Sequence, residues 1–119
     1  MNVTNKESGD KGEELACRFL QKNGYQIIKR NWRYSHGEID IIAKENNTLV
    51  FIEVKTRYNL EFGAPELAVT KSKQSQIRKM SEAYLYINEI TDQECRIDVI
   101  AILLLGNNTP QINHIKNAF

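Results

Sequence analysis

Two carboxylates and one lysine stand at spacings that suit metal-dependent chemistry. Glu53 and Lys55 are separated by one residue in an apolar segment, and Asp40 lies in an earlier apolar segment. Side chains alternate between the faces of a β-strand, so Glu53 and Lys55 are expected to project from the same face. Facing carboxylates repel each other unless a cation joins them, and Mg²⁺ binds carboxylates together with waters and phosphate oxygens. The three residues therefore indicate a divalent-metal site that acts on a phosphate ester.

A β-hairpin is expected to bring Asp40 opposite Glu53. Residues 39–43 and 49–55 have the pattern of two strands, and the Asn46-Asn47 pair between them is typical of a turn. Asp40 and Glu53 are equally far from that turn, as directly paired residues would be. Lys55 would then orient or deprotonate an attacking water and offset transition-state charge. The alternative is a salt bridge between Glu53 and Lys55 on a solvated face.

A third carboxylate is predicted from the first helix. An apolar stripe at helical spacing predicts this helix over residues 8–23, and Gly24 is a C-terminal stop signal. At about 100° per residue, Glu13 falls at the margin of the stripe that faces the core. Glu13 is therefore expected to point toward the sheet. The alternative is an acid of the first helical turn, favoured there by the helix dipole.

The remaining segments complete an α/β pattern. A short strand is predicted at residues 25–30, followed by a loop that contains Trp32, Tyr34 and Gly37. Trp32 and Tyr34 are expected to pack beside the first helix, and the alternative is that they stack on an unpaired base. A second amphipathic helix begins near Thr70 or Ser72 as N-cap, and strands follow at residues 97–105 and 111–115. With 119 residues, the chain is expected to form one domain, a mixed sheet of about five strands flanked by helices.

Composition narrows the functional classes. The formal charge of +1 gives no overall attraction to nucleic acid. No segment reaches the roughly 20 apolar residues of a membrane span, and the N-terminus lacks the apolar centre of a secretory signal. A cytoplasmic protein is therefore expected.

Cys17 and Cys95 lack metal-ligand spacing and are expected to be small core residues. Asp98 is expected to have a structural role beside Arg96.

Basic residues nevertheless cluster locally, because residues 21–36 and 71–79 contain lysine and arginine and no acid. Nucleases position a duplex mainly through its phosphates, so the basic residues of the second cluster, together with Arg57 beyond Lys55, are candidate phosphate contacts. The alternative is a solvated helix face. The candidates are Arg57, Lys71, Lys73, Arg78 and Lys79.

These motifs resemble a known group of nucleases. Gly37-Glu38-Ile39-Asp40, twelve intervening residues and then Glu53-Val54-Lys55 resemble the PD-(D/E)xK signature of restriction-endonuclease-like folds. Further motifs occur in an order that resembles the bacterial YraN-like family over nearly the whole chain. They are Gly12-Glu13, Gly24-Tyr25, Arg30-Asn31-Trp32-Arg33, the segment 51–57, Phe62-Gly63 and Arg96-Ile97-Asp98-Val99.

The family is in turn similar to archaeal Holliday junction resolvases. This resemblance implies a restriction-endonuclease-like fold and a Mg²⁺-dependent endonuclease of DNA, including branched DNA. It implies Glu13, Asp40, Glu53 and Lys55 as catalytic residues, and Mg²⁺ or Mn²⁺ held by Asp40, Glu53 and the main-chain carbonyl of Val54. It also implies a homodimer, as two-fold symmetric junctions require.

Two departures and one alternative accompany the resemblance. Ile39 replaces the proline of the signature, which leaves the metal ligands intact. Glu38 is a mark of the YraN-like group, so its role does not follow from the resolvases: it either shares the face of Asp40 and assists the site or ends the loop. The alternative function is a non-catalytic nucleic-acid-binding or assembly module that retains the fold.

Overall fold

The computed structural model describes residues 5–61, 63–65, 69–106 and 108–119, with side chains from residue 11 onward, so the predicted motif residue Phe62 lies outside it. Among these residues, no helix combines the length and the apolarity needed to cross a membrane. The order of elements is the predicted one. The elements are α1 (Asn5–Lys22), β1 (Gln26–Tyr34), β2 (Gly37–Glu45), β3 (Thr48–Arg57), α2 (Lys71–Ile87), β4 (Cys95–Leu103) and β5 (Gln111–Ile115).

The described strands form one mixed sheet in the order β1-β2-β3-β4-β5. Neighbouring strands are antiparallel except β3 and β4, which are parallel. A parallel pair needs a long crossover connection, and α2 lies in that connection. Thr70 is the N-cap of α2, one of the two predicted candidates. The mixed five-stranded sheet with two helices confirms the predicted α/β class.

Each helix covers one face of the sheet. Successive residues of β3 alternate: Ile52 belongs to an apolar cluster with Leu20 of α1, and Phe51 belongs to a second cluster with Met80 of α2. All four side chains are buried. The sheet is therefore the middle layer between two helices, and its central strands are apolar on both faces.

The predicted loop after the first strand is wrong. Trp32 and Tyr34 belong to β1, and Gly37 opens β2, so the turn is only Ser35 and His36. The polar residues of this segment suit a strand because β1 is an edge strand with exposed side chains. Trp32 packs edge-on against Tyr84 of α2, with ring centroids 5.2 Å apart, so its predicted position beside the first helix is also wrong.

A residue with left-handed backbone conformation in β1 explains why Trp32 packs against α2. Asn31 has a left-handed φ of 52°, between Arg30 and Trp32. Arg30 forms an ion pair with α1 whereas Trp32 packs against α2, although residues two apart in a regular strand share a face. Their partners on β2, Ile41 and Ile39, also belong to opposite clusters. Asp40 lies between these two isoleucines, at the point where the side chains of β2 exchange faces of the sheet.

A buried polar network joins β4 and β5 around Asp98. The Asp98 carboxylate is fully buried and accepts hydrogen bonds from Arg96 and from the main-chain N–H of Asn117, and it lies 2.7 Å from His114 Nε2. Burial raises the pKa of Asp98, but the His114 and Arg96 contacts outweigh it and hold that pKa below its usual range. Arg96 also donates to the Tyr25 hydroxyl. These contacts are those of a structural carboxylate, as the sequence suggests.

The two cysteines differ in their exposure to solvent. Cys17 is buried in the cluster against α1, as predicted. Cys95 is exposed, so its prediction as a core residue is wrong. The reason is its place at the first residue of β4, ahead of the buried part of that strand.

We expect Gly12→Ala to lower the free energy of unfolding by about 1–3 kcal/mol, because the new methyl group would overpack the contact between α1 and β3. A Cβ at Gly12 would coincide with Thr56 Oγ1 and lie 3.1 Å from Thr56 Cβ. In an uncrowded helix the same change would instead stabilise by about 1 kcal/mol. Urea denaturation measures the difference. Adding Thr56→Ala should restore part of the loss, and a gain in stability from Gly12→Ala alone would contradict the close approach.

Candidate metal centre

The centre of the site is the place where β2 and β3 stop pairing through their main chains. The pairing continues as far as Ile41 with Ile52, in the register expected from the hairpin turn. One residue beyond that pair stand Asp40 and Glu53. There the main-chain N–H of Val54 donates to Asp40 Oδ2 at 2.8 Å. A side-chain carboxylate thus replaces a main-chain acceptor and is held directly against β3.

The environment of Asp40 disfavours its negative charge. Burial raises the pKa of Asp40 most strongly, the charge of Glu53 raises it further, and the Val54 N–H offsets part of the rise, leaving a value of about 8. Glu53 is itself only 4% exposed. Two carboxylates held together at this depth repel each other, and a divalent cation removes that repulsion.

Two lysines contact the same oxygen of Glu53. Lys55 Nζ lies 3.4 Å and Lys73 Nζ 3.5 Å from Glu53 Oε1. Lys55 is where strand alternation predicts it. Lys73, predicted as a phosphate contact, comes from the first turn of α2, where its N–H donates to Thr70 Oγ1. Two ammonium groups compensate the buried charge of Glu53, which would otherwise be costly.

Three carboxylates from α1 and β2, including that of Asp40, converge at the site. One carboxylate oxygen from each of Glu13, Glu38 and Asp40 lies within 4.8 Å of the others. Glu13 comes from α1, as its helical projection predicts. Glu38 lies two residues before Asp40 on β2, so of the two alternatives for Glu38 the structure favours a place in the site. Glu38 Oε2 is also 3.3 Å from Arg33 Nε. A set of carboxylate oxygens is the ligand chemistry of hard divalent cations.

The predicted phosphate contacts differ in their surroundings. Lys73 lies inside the site, and Arg57 follows Lys55 at the end of β3, where its Nη1 donates to the carbonyl of Thr56. Lys71 and Lys79 are exposed on α2. Arg78 instead places its guanidinium 5.5 Å from the ring centre of Phe119, near the C-terminus. Of these residues, the structure therefore brings only Lys73 into contact with the carboxylate site.

Comparison with known proteins identifies the family. The model of the uncharacterised protein family UPF0102 matches residues 12–102, a range that contains all of the site residues described above. The chain belongs to UPF0102. This confirms the family membership that the YraN-like motifs indicate.

UPF0102 proteins of several bacteria are similar to the chain over almost its whole length. The UPF0102 protein of Geobacter sulfurreducens is 49% identical over 115 residues, which cover 97% of this chain and 90% of that protein. The UPF0102 protein of Caldicellulosiruptor saccharolyticus is 44% identical over 98% of this chain and 100% of its own length. That of Rhodococcus opacus is 46% identical over 93% of this chain and 94% of its own length.

In metal-free buffer we expect Asp40→Asn to stabilise the protein at pH 8 by about 1–3 kcal/mol. A carboxyl whose pKa is raised by folding binds its proton more tightly in the folded state. Folding stability is therefore lost as the pH rises from about 4 toward 8. An amide removes this ionisation and keeps an oxygen for the Val54 N–H.

Urea denaturation at pH 5 and pH 8 in the presence of a chelator measures the effect. The gain of Asp40→Asn over the parent should grow with pH. The exposed Asp92→Asn serves as the matched control and should show no such growth. A constant difference between the parent and Asp40→Asn would mean that Asp40 ionises at its ordinary pKa.

Proposed function

We propose that the chain is a metal-dependent nuclease that hydrolyses phosphodiester bonds of DNA, with Glu13, Asp40, Glu53 and Lys55 in its active site. One observation carries the proposal. The half-buried Asp40 carboxylate is held by the Val54 N–H at the opening of the β2–β3 hairpin, beside the buried Glu53, with a lysine in contact with that glutamate. Family membership is compatible with this function and does not specify it.

The donor set fits a hard divalent ion. Asp40 and Glu53, with the main-chain carbonyl of Val54, would hold Mg²⁺ or Mn²⁺, and Glu13 and Glu38 offer further carboxylate oxygens next to Asp40. The raised pKa of Asp40 supports the fit, because a nearby cation would stabilise the ionised form that burial disfavours. When bound, such an ion supplies Lewis acidity that polarises a phosphoryl oxygen and acidifies water.

Lys55 has the position of a residue that orients water and offsets charge. Its ammonium group contacts Glu53, and its side chain is 24% exposed, so the residue borders both the buried carboxylate and the solvent. It can donate a hydrogen bond to an attacking water or to a non-bridging phosphate oxygen, where negative charge develops in the transition state. Lys73 adds a second ammonium group to the same carboxylate oxygen.

The nearly neutral chain would hold DNA through local positive charge. Lys71 is exposed in the first turn of α2, near the lysine that contacts Glu53, and Lys79 is exposed further along the same helix. Arg57 lies two residues beyond Lys55 on β3. These groups would contact phosphates without reading the bases. A four-way junction has two-fold symmetry, so cleavage of such a substrate would require two copies of the chain.

The proposal predicts that purified protein cuts DNA only with Mg²⁺ or Mn²⁺ and that Lys55→Met lowers the cleavage rate about a hundredfold or more. Single-turnover cleavage of labelled linear, flapped and four-way DNA measures the rate. Calorimetric titration with Mn²⁺ should show that Glu53→Gln weakens metal binding, while Lys55→Met still binds the ion. Lys29→Met, at an exposed lysine of β1, is the matched control and should cut normally.

Three results would contradict the proposal. Cleavage that survives Lys55→Met at the full rate would point to a contaminating nuclease. Unchanged Mn²⁺ binding by Glu53→Gln would overturn the metal assignment. DNA binding with a steep salt dependence but without cleavage of any substrate would favour the non-catalytic binding module.

A further inference from the structure

A cleft of about 290 Å³ lies at the β4–β5 side of the sheet. Residues of both strands line it together with Leu60 and Pro65 from the segment after β3. We call it the β4–β5 cleft. The carboxylate site does not use it, because none of the site residues is among those that line it.

Strand register connects the β4–β5 cleft to the lysine of the site. Lys55 pairs with Ala101 of β4, and Ala101 pairs with Asn113 of β5. Paired residues of adjacent strands project from the same face, and neighbouring strands lie about 4.8 Å apart. The next row of the sheet contains Arg57, Leu103 and Gln111. The cleft therefore begins one strand away from Lys55, on the same face.

The lining combines apolar side chains with side-chain amides. Ala101 and Leu103 contribute small and apolar surface, and Leu60 is 55% exposed although it is a large apolar residue. Gln111 and Asn113 contribute amides, which both donate and accept hydrogen bonds. Apolar surface for the ring face and amides for the ring edge are the groups that recognise a nucleobase taken out of a duplex stack. The volume suits one ring system, because it lies at the small end of ligand pockets.

We propose that the β4–β5 cleft binds one unpaired nucleobase next to the phosphodiester bond that is cut at Lys55. The substrate class would then be DNA with an unpaired nucleotide adjoining the cleaved bond, such as a bulge or a flap. This inference rests on the proposed nuclease function. A base within an intact duplex is held by pairing and stacking and would have to be extruded first, at an energetic cost that an unpaired base does not have.

Binding of matched duplexes tests the proposal without cleavage. Fluorescence anisotropy with Ca²⁺ in place of Mg²⁺ compares three labelled DNAs: a paired duplex, the same duplex with one unpaired adenine, and that duplex with an abasic nucleotide at the same position. We expect the unpaired adenine to tighten binding about tenfold over both other DNAs. The abasic DNA separates recognition of the base from recognition of the bend.

The variant pair Leu60→Ala and Gln111→Ala should remove this preference while leaving affinity for the paired duplex unchanged. Both side chains are exposed, so the fold should tolerate the changes. Ile28→Ala with Gln26→Ala is the matched control, because these residues are an exposed apolar side chain and an exposed glutamine on the opposite edge strand. The control should keep the tenfold preference.

Failure of the cleft proposal is distinguishable from failure of the nuclease proposal. Equal binding of all three DNAs by the parent protein, or a preference that survives the cleft variant, overturns the base-binding site. If Mn²⁺-dependent cleavage still occurs in that case, the nuclease function stands. A base preference that depends on Leu60 and Gln111 but without any cleavage would support the cleft and contradict the nuclease.

Discussion

The hydrogen bond from the Val54 N–H to the Asp40 carboxylate is the contact on which the site depends. It occurs one residue beyond the last main-chain pair of the β2–β3 hairpin, so the strands are still joined there, but through a side chain. At Asp40 the side chains of β2 also exchange faces of the sheet, opposite Asn31 of β1, which has a left-handed backbone conformation. The opening between β2 and β3 is thus built into the sheet, and Asp40 remains held against β3 within it.

The charges of the site are distributed unevenly across this opening. Glu53 is accompanied by ammonium groups from β3 and α2, whereas the carboxyl groups of Glu13, Glu38 and Asp40 converge from α1 and β2, with Arg33 beside Glu38. Burial, then the charge of Glu53 and, less strongly, that of Glu13 raise the pKa of Asp40. The two buried helix–sheet layers must stabilise the fold enough to tolerate this repulsion. A divalent ion would relieve it, and metal binding would then stabilise the folded chain as well as activate it.

Local sequence signals predict the order of elements, the hairpin register and the direction of Glu13, because each follows from periodicity or from a short turn. They do not predict that Trp32 packs against α2, since that requires the left-handed backbone at Asn31. Nor do they place Lys73 on Glu53, because the contact depends on where α2 crosses the sheet. From the sequence alone, a lysine in the first turn of a helix is expected to be exposed to solvent. The missed features thus depend on packing between distant segments.

The crossover through α2 relates the site to its surroundings. Because β3 and β4 are parallel, the chain must return across the sheet before β4 begins, and α2 lies in that return. Its first turn brings Lys73 to Glu53, and the strand that follows it lies beside Lys55. The connection through α2 therefore supplies the second ammonium group on Glu53, and strand pairing supplies the row of the sheet that leads from Lys55 to Asn113. A shift of α2 along the sheet would alter the charge at the site, while the β4 and β5 residues of the cleft would keep their distance from Lys55, because strand pairing sets that distance.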